Sequence, residues 1–148
     1  MSAVADSSPA SPVLLDTHVL VWLVEGNTKL RPVARSMIQK AADEGRATIS
    51  AITPWEIALL VSKGRLQLGA DVMQWIHAVL SKPGLQLVPL DPEIAVASTR
   101  LPFEMHADPA DRILVATARH LGATFVTADG ALLEFSKQGH FVAMDAAA

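Results

Sequence analysis

The sequence predicts an α/β domain, built as a three-layer α/β/α sandwich in which helices cover both faces of a mostly parallel central sheet. Two observations lead to this prediction. Short apolar runs of strand length alternate with segments of helical periodicity, and such alternation is typical of strand–helix–strand units with right-handed crossovers. In addition, 51% of the residues are hydrophobic, as expected when a sheet is buried on both faces.

The first half of the chain alternates between short apolar runs and amphipathic segments, several of which stop at a glycine. Strands are expected at Val13–Asp16 and Ala47–Ser50. Helices are expected at Thr17–Val24, Arg31–Glu44, Pro54–Lys63 and Asp71–Leu80.

The second half repeats the alternation. Strands are expected at Leu85–Val88, Ala123–Thr127 and, as a possible last strand, His140–Met144. Helices are expected at Pro92–Arg100, Ile113–Leu121 and Gly130–Lys137, the second of them introduced by the segment H-A-D-P-A-D-R.

Length and composition limit the number of domains and the kinds of site. A chain of 148 residues can bury one core, and no repeat or change of composition marks a second domain. We therefore expect one domain over residues 13–148 and a disordered lead-in at residues 1–12, which are small, polar and proline-bearing. No apolar run approaches the roughly 20 residues of a membrane helix. The absence of cysteine excludes disulfides and thiolate metal sites and fits a reducing cytoplasm.

Acidic residues follow the predicted strands, where an open parallel sheet binds its ligands. Asp16 ends the first strand, Glu56 comes soon after the second, and Asp129 follows the strand A-T-F-V-T. Asp108 and Asp111 precede the long apolar helix. Carboxylates that converge at one edge repel each other unless cations neutralise them, and all-oxygen sites suit Mg²⁺ or Mn²⁺. Two such ions, about 3.5–4 Å apart, can activate water and stabilise the leaving oxygen in phosphodiester cleavage.

Helix capping offers a competing role for the same acids. In T-P-W-E, Thr53 would be the N-cap and Glu56 the third helical residue, and in D-P-A-D, Asp108 and Asp111 would take those two places. A capping residue uses its oxygen on the N–H groups of its own helix, so this pattern favours Glu56 and Asp111 as metal ligands. Asp91 also follows a strand and precedes a proline, and position alone does not separate it from Asp108.

Four motifs, in order and at plausible distances, carry a resemblance to a known family. They are L-L-D-T-H-V-L-V-W, I-S-A-I-T-P-W-E-I-A, L-P-F-E-M-H-A-D-P-A-D-R-I-L-V-A-T-A and F-V-T-A-D-G. From Val13 to about Met144, the chain resembles the PIN-domain ribonucleases and, among them, the VapC-type toxins of bacterial toxin–antitoxin pairs. The resemblance implies a cytoplasmic, Mg²⁺- or Mn²⁺-dependent endoribonuclease that uses one or two ions.

The resemblance also implies roles for particular residues. The acidic site of the family maps to Asp16, Glu56, Asp111 and Asp129, with Asp108 at or beside it. Small polar residues that orient the carboxylates or a water map to Thr17 and Thr127, and a basic residue that would touch phosphate or hold an acid maps to Arg112. The chain departs from the family at Glu104-Met105 and at Ala110, which affects substrate fit or partner contact and leaves the acids intact.

The resemblance further implies partners. The substrate would be RNA, the protein would form a homodimer, and a cognate VapB-like antitoxin would place its C-terminal segment along the active-site groove. The formal charge of −3 argues against a protein that holds nucleic acid by bulk electrostatics, but it does not exclude a nucleic-acid substrate, because bound metal ions can supply positive charge locally.

Two other functions compete with this one. A catalytically silent PIN-like binding or scaffold module would use its acids only as helix caps. A phosphatase with Asp16 as its nucleophile is disfavoured, because His18 stands where such a site usually has a second aspartate. The three tryptophans are expected to pack in the core or an interface. A phosphate track could be formed by Lys63, Arg65, Arg112 and Arg119, but scattered cations are usually solvated surface, and only Arg112 is kept as a candidate.

Overall fold

The computed structural model describes residues 10–148 and contains five strands and seven helices within that range. Residues 1–9, most of the expected lead-in, lie outside the described residues. The strands are β1 (Val13–Leu15), β2 (Ala47–Ser50), β3 (Leu85–Val88), β4 (Thr124–Thr127) and β5 (Val142–Asp145). The helices are α1 (Thr17–Glu25), α2 (Pro32–Asp43), α3 (Ile52–Ser62), α4 (Val72–Leu80), α5 (Pro92–Ser98), α6 (Pro109–Leu121) and α7 (Gly130–Ser136).

The strands form one sheet in the order β3-β2-β1-β4-β5, and every neighbouring pair is parallel. In β1, Leu14 lies opposite Thr48 of β2 and Phe125 of β4. Because successive side chains of a strand point to opposite faces, β1 supplies a different core on each side of the sheet. Leu15 packs with the side chains of α1 to α4, whereas Leu14 packs with those of α6 and α7. The predicted three-layer sandwich is confirmed.

The order of the strands reverses direction between β1 and β4. The chain first builds β1, β2 and β3 outward on one side, and then crosses over to place β4 and β5 on the other side. Such a reversal opens a crevice beyond the carboxyl ends of the two central strands, where α/β sheets bind their ligands. Asp16 comes directly after β1, and Asp129 is the second residue after β4, so both begin their helices at this crevice.

The helices differ in their bounds from those expected in two places that matter for the site. Helix α6 begins at Pro109, not at Ile113, so the segment with the two aspartates forms its first turn. Helix α3 begins at Ile52, two residues before the expected Pro54. Within residues 10–148, every helix is too short or too polar to span a bilayer.

Candidate active site

A cleft of about 380 Å³ opens at the crevice between β1 and β4. Its walls bring together all five acids expected at the site, and they are completed by a histidine, a tryptophan and an alanine: Asp16, Glu56, Asp108, Asp111, Asp129, His18, Trp22 and Ala128. Asp91 does not line the cleft. It follows β3, the outermost strand of the sheet, which lies two strand spacings, roughly 10 Å, from β1, and its carboxylate caps α5.

Asp16 is the most deeply buried acid, with 8% of its surface exposed. One of its oxygens, Oδ1, accepts a hydrogen bond of 2.8 Å from the backbone N–H of Thr17. The other, Oδ2, accepts a bond of 2.6 Å from the Thr127 hydroxyl. Burial raises the pKa of Asp16, and the charge of Asp129 adds to this, while the two hydrogen bonds and His18 oppose it. The carboxylate is therefore held rigidly at the base of the cleft.

Glu56 projects from α3 toward the same point and is fixed by a threonine. The Thr17 hydroxyl donates a hydrogen bond of 2.6 Å to Glu56 Oε1, and its oxygen lies 3.1 Å from the Thr53 hydroxyl. Burial raises the pKa of Glu56, and so does the charge of Asp16, whereas the bond from Thr17 lowers it. Thr17 thus connects α1 to α3 through their polar side chains.

The predicted capping box at T-P-W-E is wrong. Ala51 occupies the N-cap position of α3, and the Ser50 hydroxyl accepts the backbone N–H of Ile52 at 3.1 Å. Thr53 is consequently a buried residue of the first turn, and its hydroxyl faces Thr17 instead of capping the helix. Glu56 lies further along α3 than expected, and its carboxylate is used in no helix cap among the described residues.

Asp108 caps α6, as the N-cap pattern predicted, and Asp111 lies in the first turn of that helix with its side chain in the cleft. Asp108 Oδ1 accepts the backbone N–H groups of Ala110 at 3.0 Å and of Asp111 at 3.3 Å, so it caps α6. The Asp111 side chain is 14% exposed, and no hydrogen bond of the described residues ends on its carboxylate; its Oδ2 lies 3.4 Å from Nε2 of His106. Burial, together with the charges of Asp108, Asp16 and Glu56, raises the pKa of Asp111 to about 8.

Asp129 completes the cleft from the β4 side. Its Oδ1 caps α7 by accepting the N–H groups of Ala131 at 2.9 Å and Leu132 at 3.2 Å. Its own backbone N–H donates to the Thr127 hydroxyl at 3.0 Å. Thr127 therefore bonds to both Asp129 and Asp16, and it ties the two central strands together at the floor of the site.

Arg112 does not hold an acid, contrary to one of its two expected roles. Its guanidinium donates to the backbone carbonyls of Ser98 at 2.9 Å and Met105 at 3.1 Å, and it lies outside the cleft. These bonds fasten the loop before α6, which carries His106, to the end of α5. Sequence reasoning did not foresee this use of the arginine, nor the contact between Thr53 and Thr17, because both depend on which backbone atoms the fold brings close.

The donor set of the cleft suits a hard divalent cation. Every acidic ligand offers oxygen, and neither lysine nor arginine is among the described residues that line the cleft. Desolvation and mutual repulsion raise the pKa values of Asp16, Glu56 and Asp111, which a cation would reverse. Within residues 10–148, no group of three or more acids or histidines is arranged to hold an ion as it stands, so shared ligation would require side chains to rotate.

Comparison with known proteins decides the family. A family model of the PIN domain matches residues 13–138. The chain belongs to the PIN-domain family. The resemblance drawn from the four sequence motifs is therefore confirmed.

Individual relatives of this PIN-domain protein agree with that assignment. Ribonuclease VapC22 of Mycobacterium tuberculosis is 34% identical to it over 117 residues, which cover 79% of this chain and 86% of the relative. VapBC2 from Rickettsia felis, solved bound to a DNA fragment from its promoter, has 16% identity and a TM-score of 0.66 over 90% of this chain and 97% of the other. DNA-bound VapBC from Salmonella typhimurium has 18% identity and a TM-score of 0.66, over 93% and 99% of the two chains. At these identities, the two structures show a common fold.

Proposed function

We propose that this PIN-domain protein is a metal-dependent endoribonuclease and acts as the toxin of a toxin–antitoxin pair. The observation that carries the proposal is the meeting of five carboxylates in one cleft, at the point where the strand order reverses. The similarity to a relative named as a ribonuclease supports RNA as the substrate.

The acids that cap helices and the acids that cap nothing would have different parts in this activity. Asp16, Asp108 and Asp129 each use at least one oxygen on backbone N–H groups, which fixes their position. Glu56 and Asp111 are used in no cap. Thr17 holds Glu56 by a hydrogen bond, whereas no hydrogen bond of the described residues ends on the Asp111 carboxylate, so we expect Asp111 to be the ligand that moves most easily toward an ion. Mg²⁺ or Mn²⁺, as one ion or two, would be held by Asp16, Glu56, Asp111 and Asp129.

A bound divalent ion supplies positive charge to a phosphodiester and to an attacking water. The residues of the chain keep the ligands in place for this chemistry. The Thr17 hydroxyl orients Glu56, and the Thr127 hydroxyl orients Asp16 while it also accepts the N–H of Asp129. The Asp111 carboxyl, whose pKa is about 8, would hold a proton near neutral pH in the absence of a cation, and a bound ion would favour its ionised form.

A silent scaffold module is the second candidate, and one observation favours it: three of the five acids of the cleft do cap helices. Capping does not explain why Glu56 and Asp111 are kept as half-buried carboxylates with raised pKa values. Burying an acid among other acids destabilises a fold, so a purely structural site would favour neutral side chains at both positions.

The test measures RNA cleavage and metal binding on the same protein. We expect cleavage in Mg²⁺ or Mn²⁺, and its loss with Asp16→Asn or Asp111→Asn while the variants keep their folded circular dichroism spectrum. Calorimetry should detect Mn²⁺ binding to the wild type and not to Asp16→Asn. Full activity in excess EDTA would rule out the metal mechanism, and the absence of Mn²⁺ binding would favour the scaffold module.

We also infer a cognate antitoxin and a homodimer as partners, and the bacterial cytoplasm as the place of action. The fold shared with two VapBC assemblies supports an antitoxin partner. Co-expression with the product of a neighbouring small gene should yield a complex in which RNA cleavage is suppressed. Light scattering of the purified chain would distinguish a dimer from a monomer.

A further inference from the structure

A second cavity, of about 350 Å³, continues from the acidic cleft along helix α3. The two cavities share Glu56 and Asp108 as a common wall. We call the second one the α3 groove. Beyond that wall, it is lined by Trp55, Leu59, Leu60, Lys63 and Arg65 and by the first two residues of α6, Pro109 and Ala110. Anything bound in the cleft that extends in this direction therefore enters the groove.

Trp55 is the aromatic residue of the groove, and of its two expected places, the core or an interface, the structure excludes the core. Its side chain is 53% exposed, although it lies next to Glu56 on a helix whose other face is buried. Exposed indoles are uncommon outside binding surfaces, since they leave a large apolar area in water. A flat aromatic surface on a rigid helix is well suited to stack against a nucleotide base.

Lys63 and Arg65 supply the positive charge of the groove. Both are exposed at the end of α3, and within residues 10–148 neither side chain takes part in a hydrogen bond or an ion pair. Lys63 follows Trp55 by eight residues, roughly 12 Å along a helix. Arg112, the cation that the motif pattern favoured for phosphate, is instead engaged with backbone carbonyls. Lys63 and Arg65 are thus two cations of the described residues that lie in the cavity adjoining the cleft and have no partner there.

We propose that the α3 groove holds the single-stranded RNA that flanks the scissile phosphodiester. Trp55 stacks on a base, and Lys63 and Arg65 contact backbone phosphates. This inference rests on the proposed ribonuclease function. Aromatic stacking combined with cations along a groove is the usual arrangement for binding single strands, whose unstacked bases are free to meet an indole.

Kinetics on single-stranded RNA test the proposal. Trp55→Ala should raise KM about tenfold, and Trp55→Phe should restore most of the loss, because phenylalanine still offers a stacking surface. The double variant Lys63→Ala/Arg65→Ala should weaken binding and reduce the slope of log affinity against log salt by about 1.4, since each phosphate contact to a single strand contributes about 0.7. Trp55→Ala should leave that slope as it is, which separates stacking from charge.

Two variants serve as matched controls. Met73→Ala removes a side chain that is also 53% exposed, but on α4 and outside the groove. Lys82→Ala removes an exposed lysine that lines neither cavity. Both should keep the KM and the salt slope of the wild type. Mn²⁺ calorimetry on every variant verifies that the cleft is intact.

The outcomes separate this inference from the function on which it rests. If the wild type cleaves RNA and the groove variants keep its KM and salt slope, the groove does not bind RNA. The same conclusion follows if the groove variants lose only their complex with an antitoxin. If the wild type cleaves no RNA, the proposed function fails. The groove can still be tested by the fluorescence anisotropy of a labelled single-stranded RNA titrated with Asp16→Asn and with the double variant Asp16→Asn/Trp55→Ala. Equal affinities of the two proteins would contradict RNA binding in the groove.

Discussion

Replacing Asp111 with asparagine should make the metal-free protein more stable near neutral pH, although it abolishes the proposed activity. The Asp111 carboxylate is largely buried, accepts no hydrogen bond from the described residues, lies 3.4 Å from Nε2 of His106 and faces four other acids. Asparagine has nearly the same shape and carries no charge. It therefore removes both the desolvation cost and the repulsion, and it leaves the cap formed by Asp108 in place.

The size of this effect follows from the pKa of Asp111, which rises from an ordinary 3.8 to about 8. Below pH 3.8, Asp111 is neutral in both the folded and the unfolded protein, and its burial carries no ionisation penalty. As the pH rises from 3.8 to about 8, the unfolded chain releases its proton while the folded protein keeps it, so the folded protein loses stability over this range and no further above about 8. At about 1.36 kcal/mol for each pKa unit, the penalty at pH 7 would be about 4 kcal/mol in a closed site. Solvent screening in the open cleft reduces it, and we expect about 1–3 kcal/mol.

Urea unfolding in EDTA between pH 5 and pH 9 measures this difference. The advantage of Asp111→Asn over the wild type should grow from pH 5 to about pH 8 and then level off. Asp43→Asn, at an exposed aspartate on α2, should show no such growth. Saturating Mn²⁺ should cancel or reverse the advantage of the variant, because an ion at a hundred times its dissociation constant stabilises the wild type by about 2.7 kcal/mol. A variant that is less stable than the wild type in EDTA at pH 7 would refute the reasoning.

Substitutions at three further positions test the supports of the site and the fold. Thr127→Val removes the hydroxyl that joins Asp16 to Asp129, and should cost about 1–2 kcal/mol in urea unfolding and lower single-turnover RNA cleavage at least tenfold. Asp108→Ala should lower the free energy of unfolding by about 1 kcal/mol, because the helix cap is lost. Asp108→Asn keeps the cap and should impair RNA cleavage less than Asp111→Asn does. The reverse order of the two asparagine variants would contradict the roles of Asp108 as the cap and Asp111 as the ligand. Gly84→Ala should lower the free energy of unfolding by about 2 kcal/mol or more, which thermal melting would show as a lower melting temperature. The reason is that φ is +88° at this glycine and an added Cβ would overlap the Ala42 carbonyl.

The alternation of strands and helices was sufficient to predict the sandwich, but it was not sufficient to predict the order of the strands in the sheet. Alternation implies parallel strands and right-handed crossovers, and several orders satisfy both. The order decides which acids meet. Asp91 and Asp108 have the same local pattern, yet Asp91 follows the edge strand β3 and stays outside the cleft, whereas Asp108 begins the helix that packs beside the central strands.

The error at Thr53 has a local physical cause. A threonine followed by proline and, one turn later, glutamate fits a capping box, but Ser50 already accepts the first free N–H of the helix at Ile52. The helix can therefore begin two residues earlier, and Thr53 becomes available for a contact with Thr17, which is 36 residues away in sequence. Local patterns do not contain such contacts, since these depend on how α1 and α3 pack.

The difference between local and tertiary contacts also explains why the sequence predicts a helix-capping acid more easily than an acid whose neighbours come from other elements. A carboxylate that caps a helix is bound to the backbone of its own segment, so local sequence identifies it, as for Asp108. A carboxylate that caps nothing has its energy set by neighbours from other elements, as the charges of Asp16 and Glu56 act on Asp111. The residues that depend most on tertiary structure are thus the ones left with unsatisfied charge. That charge destabilises the fold, and under the proposed function it would give the cleft its affinity for a cation. Stability and function should then respond in opposite directions at Asp111 and together at Thr127.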